Sequence, residues 1–363
     1  MRVGIIIYGD IHTVSGGFLY DRQLVSYLRS KGDEVEVISL PWQKYWRCLA
    51  HNALPSLVRR ITNGSWDVLL QDELCHPSLF LLNRTTRKRF SFPLISLVYH
   101  LRSCEDGRPR SRRFFQEIER RYFSFVDGYV CCSNAVRYSV EMLLKERAMP
   151  CVVAFPGRDE AVVHYRQRSI LPGDEFGVLF LGNVIRRKGL LELVQALSRM
   201  PEIPWKLSVT GNHLLERGYT EAVRQCLRRT HLLERAVFHG YLSNGELEKV
   251  FVRTHVLAMP SWYEGFGIAY LEALARGIPV IASSGGGARE LITHGQEGFL
   301  VAPGSISALA DALKTLYNNK RRQRAMGWNA RLRYLRHPAW PESMEKVRQF
   351  LLTMVRYKGV EKP

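Results

Sequence analysis

Residues Ser261–Ser284, SWYEGFGIAYLEALARGIPVIASS, decide the fold because they join two apolar strand candidates through one helix. The first strand candidate, HVLAMPS, ends near Ser261, and the turn WYEGFG leads into a helix that begins around Phe266 or Gly267. Gly277-Ile278-Pro279 ends that helix, and the second strand candidate, IPVIASS, follows. Strand, helix and strand in this order predict two parallel strands of one sheet.

The same alternation extends through both halves of the chain. The candidates in the first half are RVGIIIYGD, EVEVISL, WDVLLQD, PLISLVYHL, DGYVCCS and CVVAFPG. Those in the second half are FGVLFLGN, WKLSVTGN, AVFHGYL, HVLAMPS, IPVIASS and GFLVAP. Near-continuous Val, Ile and Leu runs are typical of parallel strands buried on both faces. The sequence therefore predicts an α/β protein with two Rossmann-like, doubly wound parallel sheets.

We expect four segments along the 363 residues. Residues 1–160 form a first domain, 161–174 a charged linker bounded by glycine and proline, and 175–335 a second domain. Residues 336–363 form a terminal helix, which we expect to pack back on the first domain. Two such domains would face each other across a cleft, and ligands of open α/β sheets bind at the carboxyl ends of the strands.

Charge and cysteine content narrow the class of protein. Lys and Arg number 52 against 34 Asp and Glu, which gives a net charge of +18 and favours an anionic partner. No nucleic-acid-binding module is present, so we expect no nucleic acid partner. The seven cysteines are scattered without a C-x-x-C pair, and no apolar run reaches the length of a membrane span. These features favour a reducing, cytoplasmic location.

Glu264 and Glu272 stand eight residues apart, on either side of the predicted helix start. Eight helical residues span at most about 12 Å, which resembles the separation of a ribose and a sugar joined through a diphosphate. Main-chain N–H groups at the helix N-terminus suit a phosphate between them. The alternative is a solvated helix face, with Glu272 paired to Arg276 one turn on and Glu264 favoured by the helix dipole.

The segment EGFGIAYLEALARGIPVIAS resembles the E-x7-E motif of retaining family-4 glycosyltransferases, which have the two-Rossmann GT-B fold. The resemblance extends over most of the chain and includes four further segments, DIHTVSGG, VYHLRSCE, FLGNVIRRKGL and SSGGGARELI. It implies that Glu272 holds the ribose of a nucleoside diphosphate sugar and that Glu264 holds hydroxyls of the transferred sugar. Gly265, Phe266 and Gly267 would then form the turn whose amides meet the diphosphate.

The segment GNVIRRKG places Lys188 just after the first strand of the second domain. In the resembled family an arginine and this lysine clamp the diphosphate, because a fixed cation stabilises the departing nucleotide. Asn183 occupies the arginine position here and brings no charge. Arg186 or Arg187 would compensate, or the phosphate is held more weakly. The alternative is that Lys188 is an ordinary surface lysine.

Gly16, Gly17 and His100 are the candidates in the first domain. The glycine pair follows the first strand, and by resemblance this loop packs against the donor phosphate; otherwise it is a flexible turn. His100 ends the fourth strand candidate at the place of a family histidine that touches the transferred sugar, with Arg102 and Glu105 as further candidates. A histidine at a strand end is also often structural.

The function that the resemblance implies is anomer-retaining transfer of a sugar to an acceptor hydroxyl of a glycan or a lipid-linked substrate. No D-x-D occurs and no ligand-spaced His, Cys and Asp cluster is present, so we expect neither a metal site nor a cofactor. Two alternatives stay open: a GT-B epimerase of nucleotide sugars, and a catalytically silent nucleotide-sugar-binding subunit.

Two segments mix cations with aromatic residues, Arg84–Phe92 and Gly107–Phe115. They fit an anionic membrane surface, which would place the protein peripherally on the inner membrane face. They also fit a solvated basic face.

Overall fold

The computed structural model describes residues 1–53, 55–105, 109–145, 148–159 and 175–360. The chain divides into two compact units. The first unit combines Met1–Gly157 with Pro338–Pro363, and the second is Arg158–His337. The expected linker 161–174 lies outside the described residues.

The first unit contains a six-stranded, all-parallel sheet in the order β2-β1-β3-β4-β5-β6. Its strands are β1 Arg2–Tyr8, β2 Glu34–Leu40, β3 Val68–Asp72, β4 Leu94–Val98, β5 Gly128–Cys131 and β6 Cys151–Val153. Its helices are α1 Gly16–Ser30, α2 Tyr45–Cys48, α3 Pro55–Thr62, α4 His76–Thr86, α5 Pro109–Phe123 and α6 Asn134–Leu144. Every residue of β3, β4 and β5 is buried, as in a sheet covered on both faces.

The second unit contains another six-stranded parallel sheet, in the order β12-β11-β10-β7-β8-β9. Its strands are β7 Phe176–Leu181, β8 Trp205–Thr210, β9 Ala236–Gly240, β10 Val256–Met259, β11 Val280–Ser283 and β12 Gly298–Val301. Its helices are α7 Leu190–Leu197, α8 Arg217–Arg229, α9 Asn244–Arg253, α10 Ile268–Ala275, α11 Ile306–Asn318 and α12 Lys320–Leu335. Read from β9, this is the 3-2-1-4-5-6 order of a Rossmann sheet.

The last helix, α13 Trp340–Val360, belongs to the first unit. This helix contributes to a buried apolar cluster that also contains residues of β1 and α1. Its members from α13 include Trp340, Met344, Val347 and Leu351. At the edge of this cluster, Asp33 accepts hydrogen bonds from the Met1 ammonium group and from Arg348 Nε, each at 2.8 Å.

The α/β class with two doubly wound parallel sheets is confirmed, and all twelve strand candidates overlap observed strands. The predicted Ser243–Glu246 capping box is also present. Within the described ranges, no helix combines the length and the apolar character needed to cross a membrane.

Candidate functional site

The order of the second sheet fixes where a ligand would bind. Strands β7 and β10 are neighbours at the centre of the sheet. The strand order continues from β7 to β8 and β9 on one side, and from β10 to β11 and β12 on the other. Ligands of open α/β sheets bind outside the carboxyl ends of the strands at this reversal point. The two segments that leave those ends are Gly182–Gly189 and Pro260–Gly267, which contain most of the predicted site residues.

Lys188 lies at the end of a short 3-10 turn, Arg186–Lys188, that closes on Gly189. Gly189 has φ +75°, and a Cβ atom there would lie 2.3 Å from the carbonyl oxygen of Pro260. Only glycine fits this left-handed turn pressed against the end of β10. The Lys-Gly pair therefore brings the lysine to the segment that follows β10.

Lys188 Nζ donates a hydrogen bond to Glu264 Oε2 at 2.5 Å. Ser261 Oγ lies 3.4 Å from the same carboxylate oxygen. Burial lowers the pKa of Lys188, and the negative charge of Glu264 opposes that shift. The structure thus brings together two predicted site residues from different segments as an ion pair.

The main chain at Glu264 is fixed by the glycine run that follows β11. Glu264 N–H donates to the Gly285 carbonyl oxygen at 3.1 Å, and Gly287 N–H donates to the Glu264 carbonyl oxygen at 2.8 Å. Gly286 has φ +93°, and a Cβ atom there would lie 2.1 Å from the Glu264 carbonyl oxygen. SSGGGARE therefore forms a support for Glu264 through close main-chain approach.

Arg187 and Trp262 tie the two segments together. The Arg187 guanidinium donates to the Tyr263 carbonyl oxygen, and Trp262 N–H donates to the Arg187 carbonyl oxygen, both at 2.8 Å. Trp262 Nε1–H also donates to Glu192 Oε1 on α7 at 3.0 Å. Neither Trp262 nor Glu192 is among the residues predicted from the sequence, and only the position of Trp262 just after a strand indicates a role.

Gly265, Phe266 and Gly267 form the turn between Glu264 and α10. The helix begins at Ile268, one residue after the later predicted start, because Gly267 precedes it with φ +98° as its N-cap. The Phe266 ring is buried, with its centroid 5.6 Å from that of His337.

Glu272 lies on α10. Among the described residues, none forms a hydrogen bond or an ion pair with its carboxylate. The pairing with Arg276 suggested by their spacing is wrong. The Arg276 guanidinium binds the Glu248 carboxylate on α9, and it reaches only the main-chain oxygen of Glu272, at 2.8 Å. Burial raises the pKa of Glu272 to about 7.

Asn183 connects the ends of β7, β8 and β9. Its Oδ1 atom accepts the Asn212 N–H at 3.1 Å and lies 3.3 Å from the Tyr241 hydroxyl. Where the resembled family has a cation, this chain has a neutral side chain that braces the neighbouring turns.

Gly16 and Gly17 form the first turn of α1 rather than a loop. Ser15 is the N-cap and its Oγ atom accepts the Phe18 N–H at 3.3 Å, so the helix starts at once after the serine. A Cβ atom on Gly17 would lie 3.1 Å from the Tyr99 ring. Gly17 therefore packs beside the residue that precedes His100.

His100 Nε2 lies 2.9 Å from Glu105 Oε1, and Arg102 binds the other oxygen of the same carboxylate. Glu105 thus joins the histidine and the arginine that the sequence analysis named with it. These residues belong to the first unit, and Lys188, Glu264 and Glu272 belong to the second.

The two basic and aromatic segments differ. In Arg84–Phe92 the interpretation as an aromatic surface is wrong, because Phe90 and Phe92 are buried and stack on each other at 4.9 Å. In the second segment, of which residues 109–115 are described, Phe114 packs 5.1 Å from Trp46, whose side chain is 64% exposed.

Residues 164–333 match the family model described as Glycosyl transferases group 1. The match covers just under half of the chain and includes the whole second sheet.

Two curated relatives match the chain in part. A GDP-mannose-dependent alpha-(1-6)-phosphatidylinositol monomannoside mannosyltransferase of Mycobacterium tuberculosis is 31% identical over 187 residues, which cover 49% of this chain and 48% of that protein. A D-inositol 3-phosphate glycosyltransferase of Arthrobacter is 32% identical over 190 residues, covering 50% of this chain and 45% of that protein. The chain thus spans about half the length of these relatives.

Solved structures match over nearly the whole chain. Sucrose-phosphate synthase from Thermosynechococcus elongatus gives a TM-score of 0.83 at 20% identity, covering 98% of this chain and 99% of that one. Anabaena HepE in complex with UDP and glucose gives a TM-score of 0.75 at 19% identity, covering 97% and 100%. The fold is therefore of the GT-B type.

Proposed function

We propose that the chain is a retaining, family-4 glycosyltransferase that moves a sugar from a nucleoside diphosphate to an acceptor hydroxyl. The observation that carries the proposal is the Lys188–Glu264 pair at the reversal point of a Rossmann sheet, with the Glu272 carboxylate further along the same helix segment. The name of the mycobacterial relative, a GDP-mannose-dependent mannosyltransferase, supports a donor of this class.

Each donor-binding residue has a proposed role. Glu272 accepts hydrogen bonds from ribose hydroxyls, and Glu264 accepts them from hydroxyls of the transferred sugar. The Phe266 and Gly267 amides and Lys188 hold the diphosphate between them. Lys188 supplies the fixed positive charge for the leaving phosphate, and Arg187 is the cation beside it in the chain. The transfer thus needs no divalent ion at the phosphate.

The proposed reaction breaks the bond between the anomeric carbon and the phosphate oxygen and forms a bond from the acceptor oxygen to the same face of that carbon. The leaving phosphate oxygen takes the acceptor proton, so no enzyme nucleophile is required. Lys188 stabilises the charge that develops on this oxygen, which is an electrostatic form of catalysis. The roles of Gly16, Gly17 and His100 stay predictions.

The test is a thermal-shift panel of UDP-, GDP-, ADP- and dTDP-sugars on the wild type and on Glu272→Ala. A ligand that binds only the folded protein raises its Tm. We expect one nucleotide class to raise the Tm of the wild type and to raise that of the variant less. A panel without any shift, or with the same shift in Glu272→Ala, would contradict the proposed donor site.

The two alternatives are separated with the selected donor. Incubation without an acceptor yields slow hydrolysis if the protein is a transferase and an epimer if it is an epimerase. The silent subunit is motivated by the uncharged Asn183 and predicts nucleotide binding without any turnover. Retention is read from the anomeric configuration of the product, and added Mg²⁺ is expected to leave the rate unchanged.

We further propose that the acceptor is lipid-linked and that the first unit meets an anionic membrane face. The exposed Trp46 lies against Phe114, and Arg110, Arg112 and Arg113 are exposed on the same helix, α5, as Phe114. An aromatic side chain beside cations suits the interface of an acidic bilayer. The printed name of the mycobacterial relative, which contains phosphatidylinositol, supports a lipid acceptor.

A further inference from the structure

A buried group of ligand-type side chains lies in the first unit, apart from the residues proposed for transfer. Glu73 follows β3, His76 opens α4 and Glu119 lies on α5, and their exposed fractions are 1%, 2% and 0%. One oxygen of each carboxylate and one nitrogen of the imidazole lie within 4.8 Å of one another. Sequence spacing did not predict this group because Glu119 comes from a distant helix.

The carboxylates of this group lack the hydrogen bonds that buried oxygens normally have. Neither carboxylate oxygen of Glu73 has a hydrogen-bond partner among the described residues, and Glu119 Oε2 has none either. Glu119 Oε1 accepts the Ser103 N–H at 3.0 Å, and the Ser103 side chain also hydrogen-bonds to this carboxylate. Buried polar atoms without partners are rare, and each calls for an explanation, such as an ion.

Both ring nitrogens of His76 have polar neighbours that fix the orientation of the ring. Its Nδ1 atom lies 3.0 Å from Glu73 Oε1, but its hydrogen bond is to the main-chain carbonyl oxygen of Glu73, at 2.8 Å. Its Nε2 atom lies 3.0 Å from the Tyr45 hydroxyl. A histidine that binds a metal through one nitrogen usually keeps a hydrogen bond on the other, which fixes the ring.

Burial strongly disfavours charge at these positions. It raises the pKa of Glu73 to about 8, and together with the charge of Glu73 it raises the pKa of Glu119 to about 7. It also lowers the pKa of His76. A cation would neutralise both carboxylates and satisfy their open oxygens.

We propose that Glu73, His76 and Glu119 bind one divalent transition-metal ion. Two carboxylates and one imidazole suit Zn²⁺ first and Mn²⁺ second. The ion would link the segment after β3 and the start of α4 to α5, and so it would stabilise the first unit. This role is structural and separate from the phosphate chemistry proposed for Lys188.

The test uses the full-length protein after treatment with a chelator and dialysis. Titration with Zn²⁺ alone and with Mn²⁺ alone is followed by metal analysis and by Tm. We expect one equivalent to bind and to raise the Tm by several degrees, because the ion binds only the folded state. We expect Glu119→Gln and Glu73→Gln each to weaken metal binding by more than about 100-fold. Loss of a residue that only hydrogen-bonds to a metal ligand can cost about that much, and these two residues would bind the ion directly. Glu117→Gln, at a half-buried position on the same helix where the carboxylate pairs with Arg120 and Arg121, is the matched control and is expected to bind like the wild type.

The wild type decides the proposal even where a variant does not fold. No uptake of either ion by the wild type would overturn it. Uptake that persists unchanged in Glu119→Gln or in Glu73→Gln would place the ion elsewhere and would overturn it as well.

Discussion

Lys188 and Glu264 neutralise each other in the described structure, and this has consequences for substrate binding. A donor that places hydroxyls at Glu264 and a diphosphate at Lys188 would find both groups already positioned at 2.5 Å. Such an arrangement is preorganised, so the side chains need little movement before reaction. The same pairing makes each residue costly to remove, since its partner is left buried with an unbalanced charge.

The variant Lys188→Ala tests the catalytic part of this arrangement. We expect kcat to fall by ~10²–10³-fold, the usual loss when one preorganised stabilising group is removed from a site. Lys206→Ala is the control, because Lys206 forms an exposed ion pair with Glu175 at 3.1 Å. Steady-state kinetics measures kcat for each variant, after circular dichroism has verified that the variant is folded. A kcat near that of the wild type would show that Lys188 does not stabilise the leaving group.

Glu272 is expected to make donor binding depend on pH. Its pKa is raised from 4.5 to about 7 by burial, so the carboxylate that we propose to accept ribose hydrogen bonds forms only as the pH passes that value. Donor affinity should therefore increase between pH 6 and pH 8 in the wild type. Glu272→Gln should bind weakly with little pH dependence, as measured by calorimetric titration.

The stability of the wild-type fold should fall as the pH rises, in the direction opposite to donor affinity. Because the folded-state pKa of Glu272 lies above its unfolded value, ionisation costs stability as the pH rises from about 4.5 to about 7. Glu272→Gln removes this cost, so its Tm relative to the wild type should be higher at pH 8 than at pH 5. Glu234→Gln, at an exposed position, is the control. A Tm difference that is the same at both pH values would contradict the raised pKa.

At the scale of elements, the glycine run after β11 supports the segment that contains Glu264 through main-chain contacts. Gly286→Ala would introduce a Cβ atom 2.1 Å from the Glu264 carbonyl oxygen at a residue with φ +93°. We expect a loss of at least ~1–3 kcal/mol in the free energy of unfolding from the backbone strain alone, together with weaker donor binding. Chemical denaturation and donor titration measure the two effects.

Gly218→Ala is the matched control for that substitution. Gly218 lies in α8 and a Cβ atom there would meet nothing within 4 Å. Alanine in a helix is favoured over glycine by roughly 1 kcal/mol, so this variant should be at least as stable as the wild type. Equal stability of both variants would mean that the loop tolerates a side chain at position 286.

Strands were predictable from the sequence because buried parallel strands consist of nearly continuous apolar runs, as β4 and β10 do. The start of α10 was less predictable, since the conformation of Gly267 decides it. The pairing of Arg276 with Glu248 could not be predicted, because it depends on how α9 packs beside α10. Spacing along the chain located the Glu264 segment but not its support by Trp262 and Gly285, which depends on tertiary contact.

At the scale of the whole molecule, the net charge of +18 makes membrane association testable. We expect sedimentation with vesicles that contain phosphatidylglycerol, and weaker binding as salt screens the charges. Trp46→Ala should reduce binding by about tenfold or more, since burial of a large apolar side chain contributes ~1.5–3 kcal/mol. Tyr138→Ala, which removes a comparably exposed aromatic residue from α6, is the control. Binding that is unchanged in Trp46→Ala, or absent from anionic vesicles, would contradict the proposed surface.

The first unit is assembled from both ends of the chain, and this sets the order in which the protein can mature on the ribosome. Trp340, Met344 and Leu351 complete the cluster around β1, yet they are synthesised after every residue of the second unit. Domains generally fold as units during synthesis. The second unit can thus fold on the nascent chain while the amino-terminal half waits, with the apolar surface that α13 will cover still uncovered. Emergence of α13, rather than of the first half of the chain, therefore completes the core around β1.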